Sequence, residues 1–200
     1  MHRFDQWPLL HAAAALALPA AALSAVLEAH PPAAATPDAD GKLPLALALA
    51  RGDTSDDAAM LLAEAAPDAV GADGRTPLHL AAAAGRSAEL LRRILEAHPP
   101  AAATPGADGK LPLALALARD DTSDDAAMLL AQAAPDAVGA DGRMPLHLAA
   151  AAGRSVELLR SIFEICPSAC LVLDTAEKMA FDIVTPEEKR QSVLSGVVES

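Results

Sequence analysis

The sequence predicts an all-α fold of small stacked units, and three observations carry that prediction. Apolar residues make up 52% of the 200-residue chain and aromatics only 2%, so most of the apolar content is alanine. Alanine favours helix, whereas a β-sandwich needs aromatic and β-branched residues. Residues 30–97 and 98–165 are two copies of one 68-residue block, differing only at 38/106, 52/120, 64/132, 76/144, 88/156, 93/161, 95/163 and 97/165, so 60 of 68 positions match. Each block also holds a shorter period: Asp40-Gly41-Lys42-Leu43-Pro44-Leu45 returns in altered form at Asp73, Asp108 and Asp141, at spacings of 33, 35 and 33 residues.

Extending the alternation backwards by 35 reaches Asp5. Forwards it reaches Ala176, where Ala176-Glu177-Lys178-Met179-Ala180-Phe181 is a worn form of the same six residues. The chain is read as one domain, 1–200, of six units, about 5–39, 40–72, 73–107, 108–140, 141–175 and 176–196, whose divergent first and last units cap the stack. Residues 8–27 are apolar and follow an arginine, as in a secretory leader. Residues 5–32 match residues 73–100 at 14 of 28 positions, however, which assigns the stretch to the fold. His11, Pro19 and Ser24 interrupt it and argue against a membrane span.

Within the unit at Asp73, Thr76 is expected to accept from the amides of a helix start, and Pro77 suits a first turn where no N–H is missed. The helix runs from Leu78 to Ala84, and Gly85 permits a left-handed stop. Ser87 caps a second helix, Ala88 to Ala97, with Glu89 in its first turn and Leu90, Leu91, Ile94 and Leu95 at helical spacing. Pro99-Pro100 end it, and AAATPGADGK reads as a Pro/Gly-rich connection. Helices of about eight and ten residues do not persist alone in water, so they must stack. The all-Ala stripe Ala81 to Ala84 lets adjacent inner helices approach to the low end of the usual range of roughly 8 to 10 Å.

A period near 33, the D-G-x-T-P-L-H-L-A-A core of Asp73 to Ala82, the following Gly85 and the E-L-L-x-x-I-L helix of Glu89 to Leu95 resemble the ankyrin repeat. The resemblance covers roughly residues 5 to 195 and implies a helix-turn-helix solenoid with short β-turn fingers. Threonine is kept only at Thr76; Pro8, Leu43, Leu111, Met144 and Met179 replace it, so five units are expected to lack that cap. The motif histidine survives as His11, His79 and His147, while Ala46, Ala114 and Asp182 stand elsewhere, which interrupts the family's usual hydrogen-bond network between repeats.

No cofactor, metal site or enzymatic centre is expected. His79 and His147 are two units apart, on the order of 20 Å, and cannot share a metal or a proton; in the resembled family this histidine is structural. Asp53-Thr54-Ser55-Asp56-Asp57 and Asp120 to Asp125 lack the ligand alternation, central Gly and closing Glu of a calcium loop, and favour helix starts instead. Cys166 and Cys170 are too few for a disulfide framework and read as buried thiols in a reducing, intracellular and cytoplasmic setting. Arg51-Gly52-Asp53 spells an adhesion tripeptide, but its twin is Arg119-Asp120-Asp121, so the match is read as chance. No phosphate loop, nucleophile elbow or paired catalytic carboxylates are present.

The net charge of -12, from 27 acids against 15 Lys and Arg, opposes binding to nucleic acid or an anionic membrane. The resemblance implies a monomeric protein-interaction scaffold that binds a partner protein on a concave face of finger tips and inner-helix edges. Carried onto this chain, that face comprises Asp40, Lys42, Asp73, Arg75, Asp108, Lys110, Asp141 and Arg143 from the fingers, with Arg51 and Arg119 from the inner-helix ends. Six of these ten are basic and four acidic, which suits a partner with an acidic segment. The equal alternative is a column of exposed pairs worth about 0 to 1 kcal/mol each. Trp7 is read as either an anchor or a cap residue. Two further functional readings stand beside the scaffold: a hydrolase or metal-dependent enzyme on another helical fold, and the interaction portion of a longer multidomain protein.

Overall fold

A computed structural model of the chain describes residues 9–184, so Asp5, Trp7 and Pro8 lie outside the described residues. The helices come in pairs: α1 (Leu9–Ala15) with α2 (Ala20–Ala29), α3 (Pro44–Ala50) with α4 (Asp56–Ala65), and α5 (Pro77–Ala83) with α6 (Ala88–Ala97). These are followed by α7 (Pro112–Leu117) with α8 (Asp124–Ala133), α9 (Pro145–Ala151) with α10 (Val156–Ile165), and a final α11 (Ala180–Ile183). Helices α1, α3, α5, α7, α9 and α11 stack in series as an inner layer, and α2, α4, α6, α8 and α10 form the outer layer behind them. The all-α class holds: among the described residues only an isolated bridge, Leu173 to Met179, departs from it.

The punctuation works as the sequence predicts. Pro44, Pro77, Pro112 and Pro145 open their helices, where a missing N–H costs nothing. Ser55, Ser87, Ser123 and Ser155 accept from the amides of Ala58, Leu90, Ala126 and Leu158, the first three at 3.2 Å and the last at 3.1 Å. Asp56 and Asp57 sit in the first turn of α4, and Asp124 and Asp125 in that of α8, where the helix dipole favours negative charge. Leu78, Leu90, Leu91 and Ile94 are fully buried between the layers.

Four expectations need correction. The Pro/Gly-rich connection is not loop throughout, because Pro99–Ala103 winds into a 3-10 turn, as do Pro31–Ala35 and Pro167–Leu171. Its prolines pre-set the backbone, and Ala101 and Ala102 face the core. The alanine stripe is only half a contact surface: Ala81 and Ala82 are buried, but Ala83 and Ala84 are half-exposed at the helix end.

The third correction concerns Thr76, whose hydroxyl lies 2.9 Å from Nδ1 of His79, the atom that also accepts the Thr76 amide at 3.3 Å. The hydroxyl therefore donates to the histidine, and the expected simple cap is a capping box in which the Thr76 side chain meets the His79 amide while the His79 ring accepts from the Thr76 amide. The fourth is that the histidines do bridge repeats. Nε2 of His11, His79 and His147 donates to the carbonyls of Lys42, Lys110 and Val172 at 3.1, 3.1 and 2.9 Å. The cysteine expectation holds only in part, because Cys166 and Cys170 are free thiols but only half-buried.

Candidate functional site

The fingers are turns closed by their own backbone. In the third unit the Gly71 amide donates to the Arg75 carbonyl at 3.1 Å and the Gly74 amide to the Gly71 carbonyl at 3.0 Å. Gly74 has φ +71°, and a Cβ there would stand 2.4 Å from the amide nitrogen of Ala107 in the next finger, so both the conformation and the close approach exclude a side chain. Neighbouring fingers are tied by one amide each: Ala72, Ala107, Ala140 and Thr175 donate to the carbonyls of Gly41, Asp73, Gly109 and Asp141 at 2.9 to 3.1 Å. In the last unit Glu177 takes the glycine's place at φ +58°, and Asp174 braces that finger by accepting from the amides of Ala176 and Lys178 at 2.8 and 3.1 Å.

The structure brings the ten expected face residues onto this finger column and the adjoining helix ends, and shows that several work within the fold. Asp73, Asp108 and Asp141 accept from the amides of Arg75, Lys110 and Arg143 at 3.1, 3.2 and 3.1 Å, fixing their own turns. Asp40 does not, because Asp38 accepts from the amides of Asp40 and Lys42 at 2.9 Å each. Arg75 lies 3.7 Å from Asp73 and 3.5 Å from Asp108, and Arg143 lies 3.7 Å from Asp141 and 3.3 Å from the buried Asp174. Each of these arginines therefore joins its own finger to the next. Arg51 and Arg119 reach back to the carbonyls of Ala15 and Ala83 at the end of the preceding inner helix, at 3.1 and 3.4 Å.

Two members of the face were missed by the sequence reading. Asp53 pairs with Arg51 at 3.2 Å and Asp121 with Arg119 at 2.6 Å. Adding them to the ten gives six cations and six anions, so the expected excess of two positive charges disappears. The signal was present in both copies as Arg-x-Asp, the pattern dismissed as a chance tripeptide. Hydrogen bonding from Arg51 and from Arg119 holds the Asp53 and Asp121 carboxyls below the usual carboxylate range. Burial pushes the Asp108 carboxyl up, but the Lys110 amide and the charges of Arg75 and Lys110 outweigh it and leave it lowered. The Lys110 ammonium is held only by Asp108 at 3.9 Å, and Lys42 has no ion pair within 4.0 Å among the described residues.

The face is open between the inner helices. Shallow depressions of about 470 Å³, between α3 and α5, and about 280 Å³, between α7 and α9, are floored by Leu49, Leu80 and Ala83 in one and Leu117, Leu148 and Ala151 in the other. Among the described residues no three His, Cys, Asp or Glu side chains converge as a metal site would require. The same residues include no helix long and apolar enough to cross a membrane.

Residues 73–104 match the family model of the ankyrin repeat. The match covers one unit of the stack, and the helical units around it are consistent with an ankyrin-repeat protein. The matched segment runs from the Asp73 finger through α5 and α6 to the 3-10 turn that follows. No curated protein matches the sequence. Ankyrin repeats are in general protein–protein interaction modules and typically non-enzymatic.

Proposed function

We propose that the chain is a non-enzymatic, monomeric adaptor of the cytoplasm whose six units form one domain, 1–200, and bind a partner protein across the concave face. The observation that carries this reading is the register of the stack. Asp40, Lys42, Asp73, Arg75, Asp108, Lys110, Asp141 and Arg143 stand along one column of fingers, beside two depressions floored by leucine and alanine and flanked by Arg51 and Arg119. An acidic segment of the partner meets Lys42 and Lys110 first, because an arginine must leave an internal carboxylate to receive it.

The test compares capture by the intact chain with capture by Lys42→Glu/Lys110→Glu. Arg75 and Arg143 are left alone because reversing them would place Glu against Asp108 and Asp174. The expected result is loss of the captured protein with an unchanged Tm, since exposed substitutions away from packed features usually change stability by less than about 0.5 kcal/mol. Capture that survives this variant and substitutions in both depressions, but is lost when the outer helices are altered, overturns the reading.

A further inference from the structure

We infer that the concave face carries two equal sockets, one 68-residue block apart, which receive two bulky apolar side chains of one extended acidic segment of the partner. This rests on the proposed concave-face function and names the partner's chemistry. A cavity of about 130 Å³ lies among Lys42, Leu43, Ala46, Asp73 and Leu80. A second of about 150 Å³ lies among Lys110, Leu111, Ala114, Asp141 and Leu148, the same positions moved by 68. None of the eight positions at which the blocks differ lines either cavity.

The cause of the sockets is a single residue type. Where His79 stands at the third position of α5, its ring fills the space beside the finger and reaches the Lys110 carbonyl. Where Ala46 and Ala114 stand at the matching positions of α3 and α7, a methyl group leaves that space empty. The inner helices also touch less there, since α3 with α5 and α7 with α9 pack less extensively than α1 with α3 or α5 with α7. Alanine at this position is thus not only a lost hydrogen bond; it opens a socket.

Size and spacing select the occupant. A cavity near 150 Å³ holds a benzene-sized group and is too small for a typical small-molecule site of about 300 to 1,000 Å³, so each socket suits one Leu, Ile, Met or Phe side chain. Inner helices about 8 to 10 Å apart set the two sockets on the order of 20 Å apart. Extended chain rises about 3.3 Å per residue, so about six residues span that gap, and an even number keeps both side chains on one face. Arg75 and Arg143 are each held between two carboxylates, whereas the ammonium groups of Lys42 and Lys110 are the weakly paired charges at the rims. A carboxylate next to each apolar anchor complements them.

The experiment selects a displayed library of random 16-residue peptides on the full chain, then measures enriched synthetic peptides against variants. Enriched sequences are expected to carry two bulky apolar residues about six apart, each beside Asp or Glu. Ala46→Leu and Ala114→Leu, at half-exposed positions, should each weaken binding by about 10- to 100-fold, the effect of losing one buried anchor, and the double variant should reduce it to background. If filling a socket lowers Tm or helicity, Lys42→Glu and Lys110→Glu serve instead and should weaken binding by similar factors to each other. Moving the anchors one residue closer should cost as much as deleting one anchor.

Peptides without the paired pattern, or one socket carrying all the effect, overturn the two-socket inference while concave-face binding stands. Failure to enrich any peptide also overturns it, and leaves the capture experiment to decide the broader reading. Binding unaffected by every concave-face substitution overturns both.

Discussion

Junctions leading from a histidine unit into an alanine unit are fastened differently from those leading out of an alanine unit. In the first kind, α1 to α3 and α5 to α7, the histidine ring crosses to the next finger and Arg51 or Arg119 reaches back to the preceding inner helix. In the second kind, α3 to α5 and α7 to α9, no histidine ring crosses at the finger end, and the side-chain ties lie beyond the C-terminal ends of the inner helices. Arg86 bonds the Thr54 carbonyl and lies 3.0 Å from Asp56, Ser87 donates to Asp56 at 2.6 Å, and Arg154 and Ser155 repeat the pattern on Thr122 and Asp124. Even the finger tie differs, since the amide donates to Asp73 in one kind and to Gly41 or Gly109 in the other. The spacings of 35 and 33 residues are the covalent counterpart, because only the longer connection contains the 3-10 turn. One kind is closed on the concave side and the other is open there, so a two-unit period in sequence becomes a two-unit period in surface.

The largest test removes one whole period. Deleting His98 to Ile165 joins Ala97 to Cys166 and sets His79 and Arg75 against the last unit as His147 and Arg143 are now, on Val172 and Asp174. The product should fold cooperatively and remain helical, with a stability loss of about 3 to 10 kcal/mol, from a per-residue average of ~0.05 to 0.15 kcal/mol. Its weak point is Leu95, which replaces Phe163 and gives up a ring contact with Phe181 at 6.0 Å. Denaturant unfolding of parent and product checks this, and an unfolded product would mean that the two blocks form halves of one core.

Next in size is His79→Ala, which leaves the Lys110 carbonyl and both Thr76 donors without their buried partner. It should cost about 3 kcal/mol at pH 7.5, more than His147→Ala, whose Nδ1 has no partner among the described residues. Burial, aided by the charge of Arg75, holds the His79 pKa below its ordinary value against the pull of the Lys110 carbonyl. The folded state keeps His79 neutral while the unfolded chain takes up a proton near pH 6.5, so wild-type stability falls as the pH drops below about 6.5 and levels off below the lowered folded value. The cost of His79→Ala should therefore be greatest above pH 6.5 and shrink below it. Urea titrations at stepped pH would show a constant difference if the ring played no such part.

Much of the fold was legible because its signals are local: serine before an apolar run, proline at a helix start, Asp-Gly at a turn. The period placed the fingers, and the resemblance to the ankyrin repeat named the ten residues on them and at the helix ends; the charge balance beside them was not legible. Asp53 and Asp121 stand beside these residues only because the chain turns after α3 and α7 and pairs them with Arg51 and Arg119. The histidine bridges were underrated for a related reason. Their acceptors are backbone carbonyls 25 to 31 residues away, and a carbonyl leaves no mark in a sequence.

Thr76→Val sharpens the contrast between the two copies. It removes the hydroxyl from His79 but leaves the amide bond, so about 1 kcal/mol is expected, and a double-mutant cycle with His79→Ala should recover most of it as coupling. Met144 is the natural counterpart, and Met144→Leu should change little. A Thr76→Val effect unchanged in the His79→Ala background would show that the two side chains act separately.

The smallest expected effect concerns the outer helices. Glu64 of α4 holds Arg93 of α6 across an alanine-to-histidine junction, and in the second copy both partners are gone together, replaced by Gln132 and Ser161. Both side chains are about 40% exposed, so water and salt screen the pair and Arg93→Ala should cost no more than about 1 kcal/mol, less at high salt. The junction does not rest on it, because Arg86 and Ser87 hold the same pair of units on Thr54 and Asp56. Glu64→Gln with Arg93→Ser, which copies the second block into the first, should therefore be close to neutral in Tm. A loss of several kcal/mol would show that this junction needs its outer tie. In that case the open side between α3 and α5 would depend on a fastening that its twin between α7 and α9 lacks, and the two sockets would differ in rigidity although most of their lining positions correspond.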